Sequence, residues 1–201
     1  MNDAPSFSRA QDDLQYIRRT LDEAGRLSSI SGRGLMAVGF LALGAVAANH
    51  YWTGAPWDPA GTREAALAIW GVVLLLALAT GAWSMERKAR RAGQVLWSPV
   101  LRRALWSYGS AMVLGGVLTL AALRLHYLDL IPAVWLGCYG VAVTSAGVFS
   151  VSPVRWMGIS FLILSLAGVL APAGAGLALL GAGFGWLHIA FGAYIAWRHD
   201  G

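Results

Sequence analysis

ERKARRAGQVLWSPVLRR, residues 86–103, decides how the rest of the chain is read. It holds Arg87, Lys88, Arg90, Arg91, Arg102 and Arg103, six of the fifteen Lys and Arg in 201 residues. Long apolar runs flank it, 65–85 before and 104–123 after. A membrane-spanning helix needs about 20 predominantly apolar residues to cross about 30 Å of hydrocarbon, and both runs meet that length. Lys and Arg clustered between two spans stay on the cytoplasmic side, because basic loops resist translocation. The stretch therefore reads as a cytoplasmic loop, from which the other spans are counted outward.

Composition agrees. Apolar residues make up 57% of the chain and charged residues 12%, against about 25% charged in a soluble domain. Ten Trp and twenty-five Gly suit a bilayer protein, where Trp anchors the interfaces and Gly lets helices approach. The net charge of +5 sits where the positive-inside rule puts it. Nucleic acid is therefore not expected as a partner, whereas the lipid bilayer, with anionic headgroups at the cytoplasmic face, is. Cys138 is the lone cysteine, so it has no partner for an internal disulfide or a Cys-based metal site.

The expected fold is all-α: a polytopic membrane protein of six transmembrane helices, arranged as three hairpins behind an amphipathic N-terminal helix. Residues 1–33 form the N-terminal unit. From Ser8, a capping-box Ser with Gln11, an apolar stripe of Leu14, Ile17, Leu21, Ala24 and Ile30 recurs at helical spacing. Arg18, Arg19 and Arg26 lie off that stripe, as in a helix resting on the cytoplasmic leaflet. No signal peptide is expected, since the first apolar run begins only at Gly34. Residues 34–201 form the membrane domain, with spans at 34–51, 65–85, 104–123, 131–151, 156–170 and 176–197. Ser31-Gly32-Arg33-Gly34 and Ser152-Pro153-Val154-Arg155 read as turns, and 52–64 as an outer rim loop. This order puts both termini in the cytoplasm, with thirteen Lys and Arg inside and only Arg63 and Arg124 outside.

The first and third spans repeat a pattern at an offset of 76 residues. Met36, Gly39, His50 and Tyr51 recur as Met112, Gly115, His126 and Tyr127. Positions 36, 39, 43, 46 and 50 advance in steps of three and four, as do 112, 115, 119, 122 and 126, so each set shares one helix face. The following span in each half carries a Trp towards its outer end, Trp70 and Trp135.

Four histidines and a few carboxylates carry what chemistry there is. His50 and His126 are expected at matched depth on the outer rim, near Glu64, Asp58 and Asp129. Imidazole with carboxylate can hold a divalent metal, and two such histidines could ligate a haem iron or a chlorophyll-type magnesium. The competing reading makes them interfacial anchors, and no HxxxH or HExxH spacing argues against it. In the sixth span Gly181, Gly185, His188 and Gly192 fall on one face in steps of four, three and four, a small-residue surface for close helix packing. His188 is about 18 Å along the helix from Gly176 at 1.5 Å per residue, near mid-membrane. There it is either a cofactor ligand or a neutral imidazole bonded across an interface to Thr80, Tyr139 or Thr144.

No Asp, Glu, Lys or Arg lies in the centre of any span, which disfavours a charge-driven carrier. No nucleophile elbow, phosphate loop or paired acid is present, so no catalytic residue is assigned and no enzyme is expected.

YIRRTLDEAGRLSSISG near the start and GFGWLHIAFGAYIAWRHDG at the end resemble a family of small bacterial membrane proteins with six spans. The resemblance implies a bacterial inner-membrane location and no established activity. The leading expectation is a non-enzymatic binding or assembly subunit of that membrane, with a membrane protein or a second copy of the chain as partner. A haem- or pigment-binding electron-transfer or photosynthetic subunit using His50, His126 or His188 stands second, and a carrier for a neutral or lipid-like molecule third.

Overall fold

The computed structural model describes residues 30–53, 63–93, 97–172 and 174–199, and all its regular structure is helical. The elements are α1 (Gly32–Thr53), α2 (Arg63–Arg91), α3 (Pro99–Leu125), α4 (Ile131–Gly147) and α5 (Ser152–Leu170). A 3-10 turn, Leu128–Leu130, leads into α4. The last span is composite: α6 (Gly176–Leu180), a π-helical segment (Gly181–Leu187) and α7 (His188–His199). Among the described residues six helices are long and apolar enough to cross a membrane. The expected N-terminal amphipathic helix and most of the rim loop, Trp57 and Asp58 included, lie outside the described residues.

Helix ends depart from the expected turns, and at Ser31 and Ser98 capping explains it. Gly32 to Gly34 do not break the chain but open α1, because the Ser31 hydroxyl accepts from the Gly34 N–H at 3.2 Å. The basic stretch is mostly helix. α2 continues to Arg91 and stops at Gly93, whose φ of +64° is left-handed and suits a glycine after a helix end. Ser98 then caps α3, accepting from Leu101 N–H at 3.1 Å, with Pro99 in the first turn, where its missing N–H costs nothing. Ser152 and Pro153 likewise belong to the first turn of α5, not to a turn before it, and the reversal falls at 148–150, after α4 ends at Gly147.

Two seams of small residues hold the bundle. The first joins α1 to the last span. A Cβ on Gly39 would lie 2.7 Å from Ile189 Cγ1 and 2.8 Å from the Gly185 carbonyl, and one on Gly192 would lie 2.7 Å from the Gly32 carbonyl. The second joins α4 to α5. Gly137, Gly140, Thr144 and Gly147 advance in steps of three, four and three and meet Ser165, Leu162, Gly158 and Arg155. Ser165 Oγ also donates to the Ala133 carbonyl at 2.8 Å. In lipid, where no hydrophobic effect draws helices together, such close backbone contact supplies much of the association energy.

The repeat-related faces of α1 and α3 find different partners. Leu43 and Val46 of α1 lie against Gly185 and Gly181 of the last span, whereas Gly115 of α3 faces Cys138 of α4. α4 with α5, and α1 with the last span, make the broadest packing, while the last span touches α5 more sparingly than α1. The final pair is thus less a separate hairpin than the sequence pattern suggests. α2 packs along its length on α1, and α3 on α4; consecutive though they are, α2 and α3 do not pack on each other along their length. They are also the least covered spans, 11% and 17% buried against 44% for the span containing α4.

Candidate functional site

The centre of the bundle is aromatic, and His188 sits inside it. Tyr139 of α4, Phe161 of α5 and Phe184 of the π segment form a triangle with ring centroids 4.8, 5.1 and 5.3 Å apart. His188 stacks on Phe184 at 6.2 Å and 23° and meets Phe161 edge-on at 5.5 Å. Tyr108 of α3 joins through Tyr139 at 6.1 Å, and Trp70 of α2 through Phe184 at 6.1 Å. Trp135 lies 6.1 Å from Trp70, so the Trp that each of the first two helix pairs carries is where those pairs meet. Five spans contribute a ring to this cluster. α1 contributes none and closes the bundle through its glycine seam.

His188 is 1% exposed, and both its ring nitrogens face protein groups. Nε2 is 2.7 Å from Tyr139 Oη, and Nδ1 is 3.4 Å from the Gly183 carbonyl. A carbonyl only accepts, so the proton belongs on Nδ1, and the Tyr139 hydroxyl donates to the lone pair of Nε2. That tautomer leaves no lone pair for a haem or pigment metal. Of the three partners considered for this histidine, Tyr139 is the one it meets.

His188 leaves the glycine face at the end of the π segment. With i→i+5 bonding each turn holds an extra residue, and the face packed on α1 becomes Gly181, Gly185, Ile189, Gly192 and Ala196. Ile189 occupies the place that regular α-helical spacing assigns to His188. Glycines at 181, 183 and 185 accommodate the wider turn, and a Cβ on Gly183 would press on Leu136 and, at 3.0 Å, on Phe161.

At the other sites the sequence proposed, His50 lies in the last turn of α1 and is exposed, as is Glu64 in the first turn of α2. His126 ends α3 in the left-handed region at φ 59°, its backbone N–H bonded to the Ala122 carbonyl, and Asp129 lies on the 3-10 turn; both are exposed. Among the described residues no three His, Cys, Asp or Glu come close enough together to hold a metal ion.

Sequence reasoning passed over three features. The α4 seam at Gly137, Gly140 and Gly147 carried the same three-and-four spacing as the glycines singled out in the last span. Trp135 Nε1 donates to Thr119 Oγ1 at 2.9 Å, and Thr119 donates to the Gly115 carbonyl at 2.7 Å, which ties α3 to α4 at the repeat-related face. Trp70 is buried, and its indole N–H has no acceptor among the described residues; no periodicity could have indicated that.

No protein-family model, curated protein or solved structure matches the chain.

Proposed function

We propose that this protein is a non-enzymatic subunit of the bacterial cytoplasmic membrane that acts by packing against another membrane helix. Both termini and the basic stretch 86–103 face the cytoplasm in this reading. One observation carries it. Gly71 and Gly81 of α2, and Gly109 and Gly116 of α3, lie on the two least covered spans, and a Cβ on any of them would meet nothing within 4 Å. Glycine inside a helix costs about 1 kcal/mol relative to alanine. In the two internal seams that cost is offset by close backbone packing. On the open faces of α2 and α3 nothing among the described residues offsets it, and an incoming helix would.

The test separates the two kinds of glycine. In nanodiscs, Gly109→Leu and Gly116→Leu should leave helix content and thermal midpoint unchanged but shift the particle from the assembled to the smaller species, read by mass photometry. Native-membrane extraction followed by the same measurement covers a heterologous partner. A wild-type protein that is monomeric in both preparations, or an assembly that both leucines leave intact, would sink the reading.

A further inference from the structure

The inner ends of α2 and α3 carry charges that the assembly reading does not use. Met85 of α2 packs with Leu101 and Ala104 of α3, alongside Ala146 and Phe149. From there outward the two helices lean on different neighbours, α2 on α1 and α3 on α4. Their outward surfaces are apolar and open, with Leu74, Leu75 and Leu78 on α2 and Leu105, Val113 and Leu114 on α3 all exposed.

Basic side chains crowd the point of convergence, and several are already engaged. Arg90 pairs with Glu86 at 2.6 Å, Arg87 lies over the Trp83 ring at 5.2 Å, and Lys88 Nζ donates to the Ile30 carbonyl at 2.9 Å. Arg91, Arg102 and Arg103 are exposed and have no side-chain partner among the described residues. Arg91 is six residues beyond Met85, about 9 Å along the helix axis, and Arg102 follows Leu101 directly. Three guanidinium groups therefore stand at the inner ends of α2 and α3, none with a counter-charge among the described residues. Trp83, Trp97 and Trp106, each at least 60% exposed, surround the same end. Exposed indoles mark the level of lipid headgroups.

We infer that this end of the molecule holds one anionic phospholipid, its phosphate on Arg91, Arg102 and Arg103 and its acyl chains along the open apolar faces of α2 and α3. Guanidinium binds phosphate through paired N–H donors, and the uncovered leucines supply a surface for hydrocarbon. A second helix could fill the apolar faces but would leave three positive charges unanswered. A soluble phosphate would answer the charges but ignore the apolar faces. The inference rests on the membrane-spanning character of the helices and not on the assembly proposed above.

Native mass spectrometry of the full-length protein in mild detergent tests it, with phosphatidylglycerol, phosphatidylcholine and glycerol phosphate titrated separately. Phosphatidylglycerol should bind one equivalent more tightly than phosphatidylcholine, and glycerol phosphate should not displace it. Each surface Lys or Arg contributes about fivefold in affinity for an anionic membrane. Combining Arg91→Gln, Arg102→Gln and Arg103→Gln should therefore weaken binding about a hundredfold. The control pair Arg155→Gln and Arg198→Gln, at the same end but on α5 and α7, should change it less than about twofold. Should the triple variant misfold by circular dichroism, Arg102→Gln and Arg103→Gln singly should each cost about fivefold. Equal binding of the two lipids, an equal loss in the control pair, or displacement by glycerol phosphate would overturn the inference. The triple variant keeps every glycine and should leave the assembled species in nanodiscs unchanged, so the failure of one proposal is distinguishable from that of the other.

Discussion

Tyr139 and the buried His188 join α4 to the last span through one hydrogen bond. Hydrogen bonds between membrane helices contribute about 0.6 kcal/mol on average and up to about 1.7 kcal/mol. Removing only the hydroxyl, as in Tyr139→Phe, keeps the ring between Phe161 and Phe184 and should cost an amount in that range. His188→Ala also removes a ring packed on Phe184 and Phe161. It should cost about 3 kcal/mol, as large-to-small changes in a core do. Steric-trap or detergent unfolding of both variants checks the order, and a Tyr139→Phe loss as large as that of His188→Ala would contradict it. An optical spectrum of the purified wild-type protein complements this experiment. A Soret or pigment band that disappears in a folded His188→Ala protein would mean that His188 ligates a cofactor, against the tautomer the structure favours.

Among the helices, the glycine seams differ in how they would respond to a side chain. A Cβ on Gly185 would press on the tip of Leu43, a flexible side chain that can turn away. On Gly192 it would meet the Gly32 carbonyl at 2.7 Å and the Met36 nitrogen at 2.8 Å, and backbone cannot move aside. Gly192→Ala should therefore destabilise the bundle by about 2 kcal/mol, in the range for overpacking, and Gly185→Ala by less. Gly44→Ala, whose Cβ would meet nothing within 4 Å, should be neutral or slightly stabilising. Unfolding midpoints of the three in one lipid mixture give the ranking, and an equal response at 192 and 44 would mean that the α1 seam is not tight. The glycine periodicity was legible in the sequence. Which residue between the glycines faces α1 was not, because steps of four, four and three put Ile189 on that face as readily as steps of four, three and four put His188 there.

Across the bundle, the basic residues gather at one end. Arg33, Arg87, Lys88, Arg90, Arg91, Arg102, Arg103, Arg155 and Arg198 lie there among the described residues, with Arg63 and Arg124 at the other. From the positive-inside rule we propose that the crowded end is cytoplasmic. A cysteine at Ala92, in a Cys138→Ser background, should stay unlabelled by an impermeant maleimide in intact cells and react after lysis. Labelling in intact cells would invert the orientation. Ala92 is exposed and follows the last residue of α2, so the substitution has no packing to disturb. Cys138 is partly buried beside Gly115, where serine fits.

The six apolar spans and their helical class were legible in the sequence alone, because they follow from runs of apolar residues about a bilayer thick and from bursts of charge between them; the exact helix ends were not. Capping at Ser31 and Ser98 was equally local, since a Ser before a helical run needs only its own next turn; it was passed over because the apolar runs alone set the expected boundaries. Partner choice was different. The faces of α1 and α3 carry the same three-and-four pattern, yet one packs on the last span and the other on α4. The pattern records which side of a helix is meant for packing and not which helix will occupy it. The placement of His188 was decided at the same level. Its position near mid-membrane came from counting residues, but its tautomer and its distance from the glycine face depend on Tyr139, Gly183 and the widened turn between them. Those contacts join residues 49 positions apart in the chain, and only the folded bundle brings them together.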